Sequence, residues 1–172
     1  MNYKNLLKDF NRTTTLFIRN VNNIPNFILS YRPFDDAWTV HEHIIHVADS
    51  ELNAFLRLKT ILAENGKSTF VIDEDKWVDN LFYNKESIED YLILFKYIRK
   101  VEYNLLCKIN SNIYDHNYVI HQNYGKVDIK TWIDWYTSKH IYMHLEYIKR
   151  NINIYEKEGN RTKKRPPSHN KA

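Results

Sequence analysis

Apolar residues recur three and four positions apart in four stretches of the chain, the period of an amphipathic α-helix. The first stretch runs from about Tyr3 to Val21, with Leu6, Leu7, Phe10, Thr14, Phe17 and Val21 on one stripe. Pro25 and Pro33 break the connection that follows. The second helix is predicted to start at Thr39, an N-cap with Glu42 three positions on in the capping-box arrangement, and to end at Glu64 before Asn65-Gly66. A long loop is expected from Lys67 to Lys85, carrying Trp77, Phe82 and Tyr83; loops of that length in compact domains are usually functional or well packed. The third helix spans about Ser87 to Ile109, its stripe made of Ile88, Tyr91, Leu92, Phe95, Ile98, Leu105, Leu106 and Ile109. From Tyr114 to Val127 apolar residues alternate around Tyr124-Gly125, which reads as a short hairpin or an irregular crossing. The fourth helix runs from an N-cap at Asp128 to about Tyr155. The expected fold class is therefore all-α: a four-helix bundle with a long loop between helices 2 and 3, and an interior able to host a metal.

Composition supports this. Hydrophobic residues make up 43% of 172, enough for one core, while three Gly and four Pro are too few for the turns of an all-β sandwich. The one cysteine, Cys107, excludes an internal disulfide and a cysteine-based zinc site; its neighbours Leu105, Leu106 and Ile109 predict a buried structural thiol. No apolar run approaches the roughly 20 residues that span a bilayer, and the start Met-Asn-Tyr-Lys has no signal-peptide core. The expectation is a cytoplasmic protein with no membrane partner. Net charge is +4, but five of the 25 basic residues lie after Gly159 in a stretch without an acid. The chain before it carries 20 basic against 21 acidic residues. Residues 1–158 are thus read as the bundle and 159–172 as a disordered, solvating basic tail, which argues against a nucleic-acid partner.

The local feature with most chemistry is His140-Ile-Tyr-Met-His144. Residues four apart on a helix differ by about 40° in azimuth, so both imidazoles can reach one ion. They share a stripe with Ile129, Ile133, Tyr136 and Tyr147, a face directed at the core. In a chain with eight His such a pair also arises by chance. On the second helix Glu42, His46, Asp49, Ser50, Asn53 and Arg57 form one polar stripe, which either faces water or lines a polar cleft. His41 and His43 are expected to face solvent or pack at the helix start, His116 and His121 to lie in a loop-like segment within reach of the cleft, and His169 to lie in the tail.

The segment from Trp38 through His46-Val-Ala-Asp49-Ser50 to Arg57 resembles the metal-site helix of the DinB/YfiT superfamily, where a Trp precedes the metal His by eight residues. Asp73-Glu-Asp-Lys-Trp77 resembles the YfiT-like branch, as does Tyr124-Gly125 ahead of a last helix bearing His-x-x-x-His. The likeness covers roughly residues 25 to 150. It implies a four-helix bundle in which His46, His140 and His144 hold one divalent metal ion, zinc or nickel. It further implies a homodimer, and either a metal-dependent hydrolase or a transferase that joins a low-molecular-weight thiol such as bacillithiol to an electrophile. Relatives of this kind carry a His where this chain has Glu51. Three imidazoles leave open coordination positions, which hold water or a thiol equally well. Asp49 is then a candidate partner behind the ligands or a proton acceptor, Arg57 a candidate contact for an anionic group of a small-molecule substrate, and Trp77 a candidate cover for the cleft. The alternative is a bundle that binds metal or a small molecule without turnover.

Overall fold

A computed structural model describes residues 3–163, without the side chains of residues 137, 138 and 159–163. Helix α1 (Tyr3–Asn22) buries Leu6, Phe10, Thr13, Phe17 and Val21, the predicted stripe with Thr13 innermost in place of Thr14. Helix α2 (Val40–Ala63) begins with the complete capping box: the Glu42 amide donates to the Thr39 hydroxyl at 3.1 Å and the Thr39 amide donates to the Glu42 carboxylate at 2.7 Å. It stops before Gly66, whose φ of +83° is the left-handed conformation that glycine tolerates, and the Gly66 amide bonds the Tyr118 carbonyl.

The expected loop between the second and third bundle helices is partly ordered. It contains β1 (Ser68–Thr69) and α3 (Glu74–Asn80). Asp73 starts α3 by accepting the Lys76 amide, with Glu74 and Asp75 in the first turn where the helix dipole favours acids. Helix α4 (Ile88–Leu106) is capped by Ser87. Then come α5 (Ser111–His116) and the hairpin β2 (Tyr118–His121) and β3 (Gly125–Asp128), with Val119 opposite Val127; β1 adds to β2 in parallel, giving the order β1-β2-β3. Asp128 caps α6 (Ile129–Asp134), which passes through a π-helical turn at Trp135–Lys139 into α7 (His140–Lys163). The backbone of the last helix thus continues into the segment read as a tail; residues 164–172 lie outside the described residues.

Four long elements make the bundle: α1, α2, α4 and the continuous α6–α7. Helix α1 packs on α4 and on α6–α7, and α2 packs on the same two, so the first two helices in sequence are not side-by-side neighbours. Their crossing connection is the one broken by Pro25 and Pro33. Two apolar clusters fill the interior. One centres on Phe10, Leu58, Leu106 and Trp132, the other on Phe17, Ile44, Phe95 and Ile141. At the level of Thr13 and Thr14 lies Arg99, 1% exposed, with all five N–H groups used. They reach Thr14 (3.0 Å), Glu51 (3.2 Å), the Tyr136 carbonyl (3.4 Å), the Phe10 carbonyl (2.6 Å) and Thr13 (3.1 Å), while the guanidinium lies 3.3 Å over the Phe10 ring. This gives Glu51 its role: it is the buried counter-ion of Arg99. Glu102, also fully buried, is held well above the usual carboxylate range by burial and then by the Glu51 charge.

Cys107 departs from expectation. It is exposed, because it caps the C-terminus of α4 on the outer side while Leu106 takes the buried position. Among the described residues no helix is long and apolar enough to cross a membrane.

Candidate metal centre

The polar stripe of α2 faces inward. Glu42, His46, Asp49 and Ser50 are buried, and Asn53 and Arg57 are half-buried along a cleft, whereas Leu52 and Leu56 are 43% and 49% exposed. The N-terminal half of α2 is covered by neighbouring elements, and its polar groups find partners there: His43 and His46 on α7, Glu42 at Arg32, Asp49 at Tyr83 and Glu51 at Arg99.

His46 on α2 meets His140 and His144 on α7. One ring nitrogen from each lies within 4.8 Å of the other two. The His46 and His140 Nε2 atoms are 3.2 Å apart. Two ligands about 2.05 Å from a tetrahedral ion would be roughly 3.3 Å apart, so the pair already has the separation that shared coordination requires. His144 Nε2 is buried without a hydrogen-bond partner. A buried, unpartnered ring nitrogen beside two others is the donor set a divalent cation completes. Burial lowers all three pKa values: His140 to about 4, with the Arg99 charge adding to the effect, and His46 and His144 well below the usual range, with their neighbouring rings adding to it. The imidazoles are therefore neutral near pH 7, the state in which they ligate. The π-helical turn sits immediately before His140 and shifts the register between Tyr136 and His140 relative to an uninterrupted α-helix; such turns recur at functional sites.

Four residues support the triad. His43, expected at the helix start or in solvent, is 4% exposed, and its Nδ1 lies 3.1 Å from His144 Nδ1. If His144 Nε2 held an ion, the His144 proton would sit on Nδ1, where His43 Nδ1 would accept it and so fix the ring's tautomer and tilt. The signal was present in the three-residue spacing from His46. The Trp38 ring lies 4.8 Å from His46 and stacks on His144 at 6.0 Å, closing that side to water. The Trp38 indole donates to Asp75 at 3.0 Å, tying the first turn of α3 to the start of α2. That tie presents Glu74, whose Oε2 is 3.9 Å from His46 Nε2 and whose carboxyl is pushed up, first by burial and then by Asp75.

The remaining candidates fall in different places. Asp49 accepts a hydrogen bond from the Tyr83 hydroxyl, and burial raises its pKa against the opposing effect of that bond; among the described residues it makes no hydrogen bond to the three His. Trp77 is half-buried in a satellite cluster with Ile45, Val78, Tyr83 and Trp38, where it seats α3, and it is not among the residues lining the cleft. Arg57 lines the cleft together with His140 and donates to the Tyr136 hydroxyl at 2.6 Å. His121 does reach this cleft, His116 is exposed, His41 bonds the Glu86 carbonyl, and His169 lies outside the described residues.

The chain is similar to several known proteins. A protein of Oceanobacillus iheyensis named "Putative metal-dependent hydrolase" is 32% identical over 121 residues, 69% of this chain and 66% of its own length. One of the same name from Bacillus cereus is 25% identical over 118 residues, 67% of each chain. The chain thus spans about two thirds of the length of these relatives. No family model matches it. Among solved structures, YfiT from Bacillus subtilis, described as "a probable metal-dependent hydrolase with an unusual four-helix bundle topology", superposes with a TM-score of 0.73 over 91% of this chain and 87% of its own, at 16% identity.

Proposed function

The chain belongs to the DinB/YfiT-like superfamily, and from that premise we propose that it is a metal-dependent hydrolase whose cation is held by His46, His140 and His144. The observation that carries the reading is the convergence of three neutral imidazoles, two buried and one half-buried, beside the carboxylate of Glu74, with the buried His144 Nε2 left without a hydrogen-bond partner. Three nitrogen ligands suit zinc or nickel. A divalent cation bound there supplies Lewis acidity, lowering the pKa of water or a thiol that shares its open positions.

The protein's own groups do the rest. His43 fixes the His144 ring, Trp38 excludes water on one side, and α3 holds Glu74 where its Oε2 takes the proton from an incoming nucleophile and returns it to the leaving group. Burial, and then the Asp75 charge, raises the Glu74 pKa above the usual carboxylate value. Asp49, locked to Tyr83, holds the segment after α3 against α2.

The test is metal analysis of tag-free protein after dialysis, run beside hydrolysis assays on activated esters and amides and a thiol-transfer assay with an epoxide or chloro-arene. The expected result is about one equivalent of metal, lost in His144→Ala, and metal-dependent hydrolysis that falls by about 100-fold in Glu74→Gln with metal content unchanged. Turnover only with the thiol would replace hydrolysis by thiol transfer at the same site. Metal retention without turnover in either panel would leave a binding protein.

A further inference from the structure

The cleft beside His140, about 700 Å³ in volume, has a second polar end. It is made by Asn53 and Arg57, one turn apart on α2, with His121 of β2 and Tyr136 of the π turn. Arg57 is half-buried, yet among the described residues its guanidinium makes one hydrogen bond, from Nη1 to the Tyr136 hydroxyl. Arg32 and Arg99 each face a buried carboxylate, Glu42 and Glu51; among the described residues no carboxylate lies within ion-pair distance of Arg57. Arg57 Nε and Asn53 Nδ2 are both buried donors with no acceptor. The positive charge acts on its surroundings: after burial, Arg57 is what lowers the His121 pKa. Water could satisfy either donor, but it brings no charge to set against the guanidinium.

We propose that Arg57 and Asn53 form a subsite for a carboxylate carried by the substrate, so that the substrates are small organic carboxylates whose reacting group lies toward His140. The orientation toward His140 rests on the metal-dependent reading above; the binding itself does not. With Nη1 held by Tyr136, the free Nε–Nη2 edge offers two parallel donors, which match the two oxygens of a carboxylate. Asn53 Nδ2 adds a third donor from the preceding turn. Tyr136 positions the guanidinium, and the aromatic rings of Trp135 and Tyr124, 5.0 Å apart, form an apolar wall in the same cleft for the body of the ligand.

The experiment uses metal-free protein in EDTA, so that a carboxylate cannot bind through an ion. Benzoate, neutral benzamide and inorganic phosphate are titrated while two-dimensional ¹H–¹⁵N NMR follows the Arg57 Nε–H and the Trp135 indole. Saturable shifts with benzoate and none with benzamide are expected. Arg57→Gln is expected to weaken benzoate by at least about tenfold, and Arg57→Lys, which keeps the charge but loses the fork, to weaken it too. The same spectra report whether each variant is folded. Equal response to benzoate and benzamide, or unchanged benzoate affinity in both variants, would overturn the proposal. Phosphate binding as tightly as benzoate would overturn the carboxylate assignment. Zinc stoichiometry is measured separately: its failure would sink the metal reading and leave the benzoate titration standing.

Discussion

Replacing Arg99 with methionine removes the charge and five donors from the layer between the two apolar clusters while keeping most of the side chain's stem. Glu51, fully buried, loses its counter-ion, the Thr13 and Thr14 hydroxyls lose the guanidinium as donor, and the Phe10 carbonyl loses one of its donors. Breaking one member of a buried ion pair costs about 3–5 kcal/mol. That is a fifth or more of the roughly 5–15 kcal/mol that holds a domain together. With a urea slope of about 2 kcal/mol/M, the unfolding midpoint should fall by about 2 M, read by far-UV circular dichroism on metal-free protein at pH 7.5. Adding Glu51→Leu to Arg99→Met removes the stranded carboxylate and should recover about 2 kcal/mol. A midpoint shift below about 0.5 M, or a double variant no more stable than the single one, would refute the account of Arg99 as the charge partner of Glu51.

Two further expectations follow from the same surroundings. His43 and His140 are held down to about 4, in each case chiefly by burial, with Arg150 adding to the effect at His43 and Arg99 at His140. The unfolded chain, with its rings near 6.5, binds protons first, so stability is retained above about pH 6.5 and lost as the pH falls toward 4. The loss should be about 2 kcal/mol per ring by pH 5, seen in urea midpoints of chelated protein, and a flat profile from pH 7.5 to 5 would contradict it. Thr39→Ala removes the side-chain half of the capping box and should cost about 1 kcal/mol, or about 2–4 °C in thermal midpoint, even though Arg32 still clasps Glu42 at 2.9 Å.

The helix boundaries were legible because they are set by local chemistry. Thr39 and Glu42, Ser87, Asp128 and Asn65-Gly66 satisfy or interrupt the backbone within a few residues of themselves, so their effect can be read from the chain alone. The three-histidine cluster was legible by spacing on α7 and by family likeness on α2. Helix α3 was read as loop because a seven-residue helix has too few turns to show a period, although Asp73 and the two acids after it mark its start.

The direction in which α2 faces could not be derived from its own pattern. Hydrophobic periodicity assumes that polar residues seek water, and on α2 they do the reverse: His46 and Asp49 are buried while Leu52 and Leu56 are exposed. That inversion is stable only because partners arrive from distant sequence: His140 and His144 for His46, Tyr83 for Asp49, Arg99 for Glu51. His43 and Glu74 joined the site for the same reason, through contacts with residues 101 and 28 positions away. By itself the sequence determined where the helices start and stop and which residues could ligate an ion. Only the tertiary structure decided which polar groups are inside, because a buried charge or imidazole is tolerated or not according to the partner that the fold brings to it.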